Sequence, residues 1–246
     1  MLEKLGVPTA NISLIRPHTE KIKPPRSLWV PFELGRPLGV PDDAAFQKKV
    51  LIHLLTLFER TDGPFILKDF PWDAPESEDD EGVLSCPVNF DELNNNDPDP
   101  LKSKFIREIQ AMRPWYDLAL KKRGRTTAGG SGMEIDLLGE FLYGFIKGDI
   151  PENARDDVDI FVTLKLAVED IKSFYVEGVT SQPGQQGLSS RKLSEWFWND
   201  TIAGEVLLKL VKACSESDNE MIRMTGQYAI APMDVVIKSG IVGDQK

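Results

Sequence analysis

Apolar residues recur along this chain in two rhythms. Ile12 to Ile15 is a short apolar run entered through the turn Leu5-Gly-Val-Pro-Thr9, and Leu28 to Phe32 alternates β-compatible residues, so both segments read as strands. The Pro-Pro pair at Pro24 and Pro25 bars a helix at that point. Gly35, Pro37, Gly39 and Pro41 then impose a rigid, turn-rich crossing, with Asp42 where a helix N-cap belongs. Beyond it the period lengthens. Phe46, Val50, Leu51, Leu54, Leu55 and Phe58 recur three and four residues apart, which predicts an amphipathic helix from Asp42 to Arg60, stopped by Thr61-Asp-Gly-Pro64.

From Leu101 onward the helical period dominates. Helices are expected over Lys102–Lys122, with Phe105, Ile109, Met112, Trp115, Tyr116 and Leu120 on the buried stripe and Pro114 as a kink. Others are expected over Met133–Ile146, Arg155 to about Val179, Leu188–Ser215 and Asn219–Ile230. Between the two regions, Lys68 to Lys102 encloses no basic residue but many acidic ones and five prolines, a composition that repels itself and buries little. The pattern therefore predicts an α+β chain: a short α/β segment over residues 1–62 with one or two strands and a helix, an acidic Pro-rich linker or loop over 63–100, and a mostly helical, bundle-like domain over 101–246. One or two strands and one helix cannot cover both faces of an α/β layer, so Ile12, Leu14, Val30 and Leu54 are expected to stay partly exposed or to dock elsewhere.

Composition narrows the function classes. With 246 residues, 41% hydrophobic and 28% charged, the chain is long enough for a sizeable core. A formal net charge of -10 opposes binding to nucleic acid or an anionic membrane. No apolar run reaches the length of a membrane span or forms the core of a signal peptide, so the cytoplasm is the expected compartment. Two cysteines, Cys86 and Cys214, are too few for a disulfide framework.

The stretch from Gly6 to about Glu59, with Gly6, Pro8, Thr9, Pro37, Leu38, Gly39 and Pro41 as matching positions, resembles the C-terminal part of the selenoprotein B family of glycine, sarcosine and betaine reductases. In that family a Gly-Ile-Pro-Thr-like strand leads to a Pro-Leu-Gly-x-Pro turn and a helix. The resemblance implies a role in reductive C–N cleavage of amino acid derivatives. The family's redox cysteine or selenocysteine lies a short way upstream of the matching strand, and this chain begins five residues before Gly6, so the redox residue is expected upstream of Met1, on a truncated reading frame or a separately encoded subunit. No catalytic residue is assigned within the chain, and no cofactor is expected.

Four constellations invite chemistry. Lys121-Lys-Arg-Gly-Arg-Thr-Thr-Ala-Gly-Gly-Ser-Gly132 is basic and glycine-rich; it reads either as a solvated helix connector or as an anion cradle, with Arg123 and Arg125 supplying charge and Gly129, Gly130 and Ser131 supplying backbone amides. Arg36, between Gly35 and Pro37, could likewise face an anion, while Gly35, Pro37, Gly39 and Pro41 shape the turn. Glu169, Asp170, Glu177, Glu195, Asp200 and Glu205 suggest facing carboxylates, yet no histidine accompanies them, so surface charge and helix caps account for them better than a metal site. The aromatic set Trp115, Tyr116, Phe174, Tyr175 and Trp196-Phe-Trp198 reads as core, with an apolar or cationic ligand pocket rimmed by Ser181–Leu188 as the sharper alternative. Cys86, among acidic neighbours, is disfavoured as a thiolate, and Cys214 reads as filler. His53 is expected to be partly buried and hydrogen-bonded, and His18 solvated.

Two functions compete. The first is a component or fragment of a glycine/sarcosine/betaine reductase-like system, working with an upstream redox subunit. The second is a non-catalytic helical module that binds a second protein chain or a small anion.

Overall fold

The computed structural model describes residues 2–63, 65–74, 97–183 and 188–241. The chain divides into two compact units, Met1–Asp80 and Glu81–Lys246, and is α+β.

The first unit holds a small parallel sheet of β1 (Asn11–Ser13), β2 (Arg26–Trp29) and β3 (Ile66–Asp69), in that spatial order. A third strand thus joins the one or two that the pattern marked, and the unit runs past residue 62 into the stretch assigned to a linker. Alternation sorts the faces. Leu28, Val30, Ile66 and Phe70 pack with Val50 of α2 (Ala44–Leu55) and with Leu57 in the 3-10 turn Thr56–Glu59, and Ile12, Leu14, Phe46 and Leu54 close around them. Val30 is therefore fully buried, against expectation, because α2 and this turn cover the apolar face. On the other face Ser27 Oγ donates to Asn11 Oδ1 at 2.7 Å, and Ser13 is hydrogen-bonded to Thr19 of α1 (Arg16–Ile22).

The crossing from β2 to α2 is set by backbone. Gly35 and Gly39 lie at φ +89° and +86°, a region that suits glycine, and a Cβ on Gly39 would stand 2.8 Å from the Phe46 ring. The helix N-cap is Asp43, whose carboxylate accepts from the Phe46 amide at 3.0 Å; Asp42, the expected cap, instead turns the chain at φ +64°.

The second unit is built from α3 (Pro100–Arg123), α4 (Ile135–Lys147), α5 (Ile160–Val179), α6 (Ser190–Asp200), α7 (Ile202–Ser215), α8 (Glu220–Tyr228) and α9 (Met233–Lys238). Helix α3 touches α4, α5 and α7, and the shared core includes Phe105, Met112, Leu142, Ile171, Phe174, Leu207 and Val211. The segment Leu188–Ser215, expected as one helix, is two. Thr201 breaks it by accepting from the Gly204 amide at 3.0 Å while donating to the Phe197 carbonyl at 2.6 Å. Gly204 has no room for a side chain, since a Cβ there would lie 2.2 Å from that carbonyl oxygen. The amides freed at the start of α7 are satisfied from another helix. Glu108, fully buried on α3, accepts from Ile202 at 3.0 Å, from Ala203 at 2.9 Å and from the Tyr175 hydroxyl at 2.7 Å.

At the other end of α3, Asp99 is the N-cap, and it also accepts from the Tyr143 hydroxyl and the Lys147 ammonium, each at 2.6 Å. Partial burial opposes ionisation of Asp99, but the bonds from Lys147, Tyr143 and the Lys102 amide outweigh it and hold the carboxyl below its usual range. Burial and then Asp99 push the Tyr143 phenol up.

Two outcomes are expected. Glu108→Ala should destabilise the protein by about 3 kcal/mol or more, because three donors, two of them on the buried residues Tyr175 and Ala203, lose their acceptor, and Glu108→Gln should cost less; urea denaturation measures both. A carboxyl whose folded pKa is depressed stabilises above its unfolded pKa and loses that stabilisation as pH falls. The stability gap between wild type and Asp99→Asn should therefore be constant above about pH 5 and shrink below about pH 4, in urea titrations across that range.

Candidate functional site

The glycine-rich loop after α3 is closed by the protein's own carboxylates. Gly124 ends α3 in a left-handed conformation, and the chain then runs back across α5. Asp170 Oδ1 accepts from the Gly129 and Gly130 amides at 2.8 and 2.9 Å, and Oδ2 from the Ser131 amide at 2.8 Å. One helical turn pair further on, Glu177 Oε1 accepts from both the amide and the hydroxyl of Thr127 at 2.8 Å. Tyr116 donates to Thr126, and Arg155 donates to the Gly130 carbonyl at 2.8 Å. The sequence leaves the amides of Gly129, Gly130 and Ser131 either in a solvated connector or open to an anion. They form the expected cradle, but Asp170 fills it, because a buried carboxylate needs donors and these three converge on it.

Arg123 and Arg125 are exposed at the edge of the loop; Arg123 donates to Thr180 at 3.0 Å and so helps tie the loop down. Asp170 and Glu177 are buried, not surface charge as expected. Their signal was present in the sequence. Thr163, Ala167, Asp170, Phe174, Glu177 and Ser181 recur at four- and three-residue steps along a single buried stripe, so two acids sit where core residues belong. Glu108 has the same signature between Phe105 and Ile109. Glu177 Oε2 is buried and has no hydrogen-bond partner among the described residues.

The remaining sites fall in place more simply. Arg36 is exposed in the first unit, 4.0 Å from Glu33, and its carbonyl accepts from Gly39 at 3.0 Å. His53 bonds through Nδ1 to the Lys49 carbonyl at 2.8 Å and packs edge-on against Phe70 and Trp72; His18 is exposed. Phe174, Tyr175, Trp196, Phe197 and Trp198 are core. The Cys214 thiol is pushed up to about 12 by burial, so it is not a nucleophile. Cys86 and residues 184–187 of the expected pocket rim lie outside the described residues. Among the described residues, no group of His, Cys, Asp and Glu is arranged to hold a metal, and no helix is long and apolar enough to cross a membrane.

Two clefts offer space. One, of about 380 Å³, lies among α6, α7 and α9 and is lined by Arg191, Glu195, Trp198, Asp234 and Lys238. The other, of about 510 Å³, opens where β2 and β3 begin and is lined by Glu3, Arg26, Phe58, Arg60, Thr61 and Ile66. In it Arg26 Nη1 donates to Glu3 Oε1 at 2.9 Å, while its Nε is buried with no partner among the described residues. Hydrogen bonds from the amide and hydroxyl of Thr9, and then Arg26, hold the Glu3 carboxyl below its usual range. Arg60 forks onto Asp62, whose carboxyl is lowered by those bonds.

No family model matches the chain, and neither the curated proteins nor the solved structures contain a significant match.

If Asp170 is what closes the loop, Asp170→Ala should free it. Trypsin cleavage after Arg123 or Arg125 is expected to accelerate by roughly tenfold or more in the folded protein, as local opening becomes easier. Limited proteolysis with mass spectrometry reads the cut site, and unchanged cleavage would mean that Asp170 does not hold the loop.

Proposed function

We propose that this chain is a cytoplasmic binding component for a small carboxylate, of the kind a glycine/sarcosine/betaine reductase-like system handles, and that any redox chemistry belongs to a second protein chain. The observation that carries the proposal is the cleft of about 510 Å³ whose wall carries two guanidinium groups, Arg26 and Arg60. A ligand carboxylate between Arg26 and Arg60 would receive charge-assisted hydrogen bonds, while Glu3 and the Phe58 ring suit a positive group at the other end of a zwitterion. The resemblance of Gly6 to Glu59 to the selenoprotein B family agrees with such a ligand class. In this reading the anion is held by the α/β unit and not by the helical unit, where Asp170 occupies the amides of the loop.

Calorimetric titration with glycine, sarcosine, betaine and acetate tests this. Binding of at least one carboxylate is expected, with choline, which lacks the carboxylate, failing to bind. Arg60→Gln should weaken binding by roughly tenfold with an unchanged melting temperature, the loss of one charge-assisted bond. No binding of any of the carboxylates, or equal binding by the variant, would overturn the proposal.

A further inference from the structure

Helix α2 has apolar residues on both sides, and among the described residues only one side is packed. Val50, Leu54 and the following Leu57 face the sheet. On the opposite side Leu51, Ile52, Leu55 and Phe58 are 41%, 50%, 58% and 41% exposed, a run of four large side chains at helical spacing. Single exposed apolar residues are ordinary, but a contiguous stripe on one helix marks a contact surface.

We propose that this stripe is a self-association surface, on which α2 pairs antiparallel with α2 of a second copy of this chain. The argument for this occupant is self-complementarity. An antiparallel helix pair is isologous, so a two-fold axis near Ile52 and Leu55 sets Leu51, Ile52 and Leu55 of one copy against the same residues of the other. It also brings Lys48, at the start of the stripe, to the Phe58–Glu59 end of the partner. Both Lys48 and Glu59 are exposed, and neither has an ion-pair partner among the described residues. Each copy thus offers an apolar centre flanked by one cation and one anion, placed so that rotation by half a turn matches opposite signs. A different partner would need no such symmetry. The contact is one helix wide, well under the roughly 1,600 Å² of a standard stable interface, so the dimer is expected to be weak and reversible.

Sedimentation equilibrium of the full chain from about 1 to 200 µM tests this, since that range brackets a weak dimer. A reversible monomer–dimer equilibrium is expected. Leu55→Glu should abolish it, with an unchanged melting temperature because Leu55 is exposed. Lys48→Glu should weaken the dimer roughly tenfold by setting like charges together, and the double variant Lys48→Glu with Glu59→Lys should restore it. A monomer throughout, a dimer indifferent to Leu55→Glu, or a double variant no tighter than Lys48→Glu would each overturn the proposal. Phe58 belongs to both surfaces, but none of the three substituted residues lines the Arg26 cleft, so sedimentation reads the dimer and titration with carboxylates reads the cleft separately.

Discussion

The helical unit depends on carboxylates buried against backbone amides. A helix start leaves amides without intrahelical acceptors, and a loop lying flat on a helix leaves more. Glu108 answers the first need at α7, and Asp170 and Glu177 answer the second along residues 127–131. Each accepting carboxylate is buried, so its bonds are stronger than their surface counterparts and more damaging to lose. The partners are far apart in sequence: Glu108 reaches 94 and 95 residues ahead to α7, and Asp170 reaches 39 to 41 residues back to the loop. These bonds therefore fix which helix meets which, whereas apolar packing among Leu, Ile and Phe is less selective about register.

The same constraint decides what the glycine-rich loop can do. Converging amides at a loop are a generic anion receptor, and the sequence around Arg123 to Gly132 has the composition of one. Whether such a receptor serves a ligand or the fold depends on whether the protein places its own carboxylate there. Asp170 does so with both oxygens. Local positive charge is thus a poor guide to function without knowledge of the opposite face, and the basic residues Lys121 to Arg125 are left as a solvated rim over a structural knot.

Regular periodicity was legible in the sequence; interruptions to it were less so. Helices α3, α4, α5 and α8 and the two strands β1 and β2 lie close to where apolar spacing puts them, because burial of one face writes itself into a local repeat. The break at Thr201 was hidden, since its cause is a hydroxyl bonding one turn either way and a glutamate on a distant helix. Strand β3 was hidden as well: four residues beside a long acidic run carry little pattern, and only pairing with β2 makes them a strand. Of the candidate site residues, the turn glycines Gly35 and Gly39 have the positive φ that their type suggested. The Arg26 cleft was invisible, because Glu3, Arg26 and Arg60 are 23 or more residues apart and come together only through sheet formation.

The α/β unit handles charge in another way. Its arginines are bound to carboxylates at the sheet's rim: Arg16 to Asp69 and Glu20, Arg26 to Glu3, and Arg60 to Asp62. Pairs this exposed contribute little stability, and an incoming carboxylate can compete with them at small cost. The buried carboxylates of the helical unit resist such exchange, since Glu108 and Asp170 are themselves out of reach of solvent and each holds several donors at once. Exchangeable ion pairs beside an open cleft are what a ligand site requires, and inexchangeable ones in a core are what a scaffold requires. By that criterion the smaller, N-terminal unit suits the proposed carboxylate site better than the larger unit, although the larger unit carries the more basic loop.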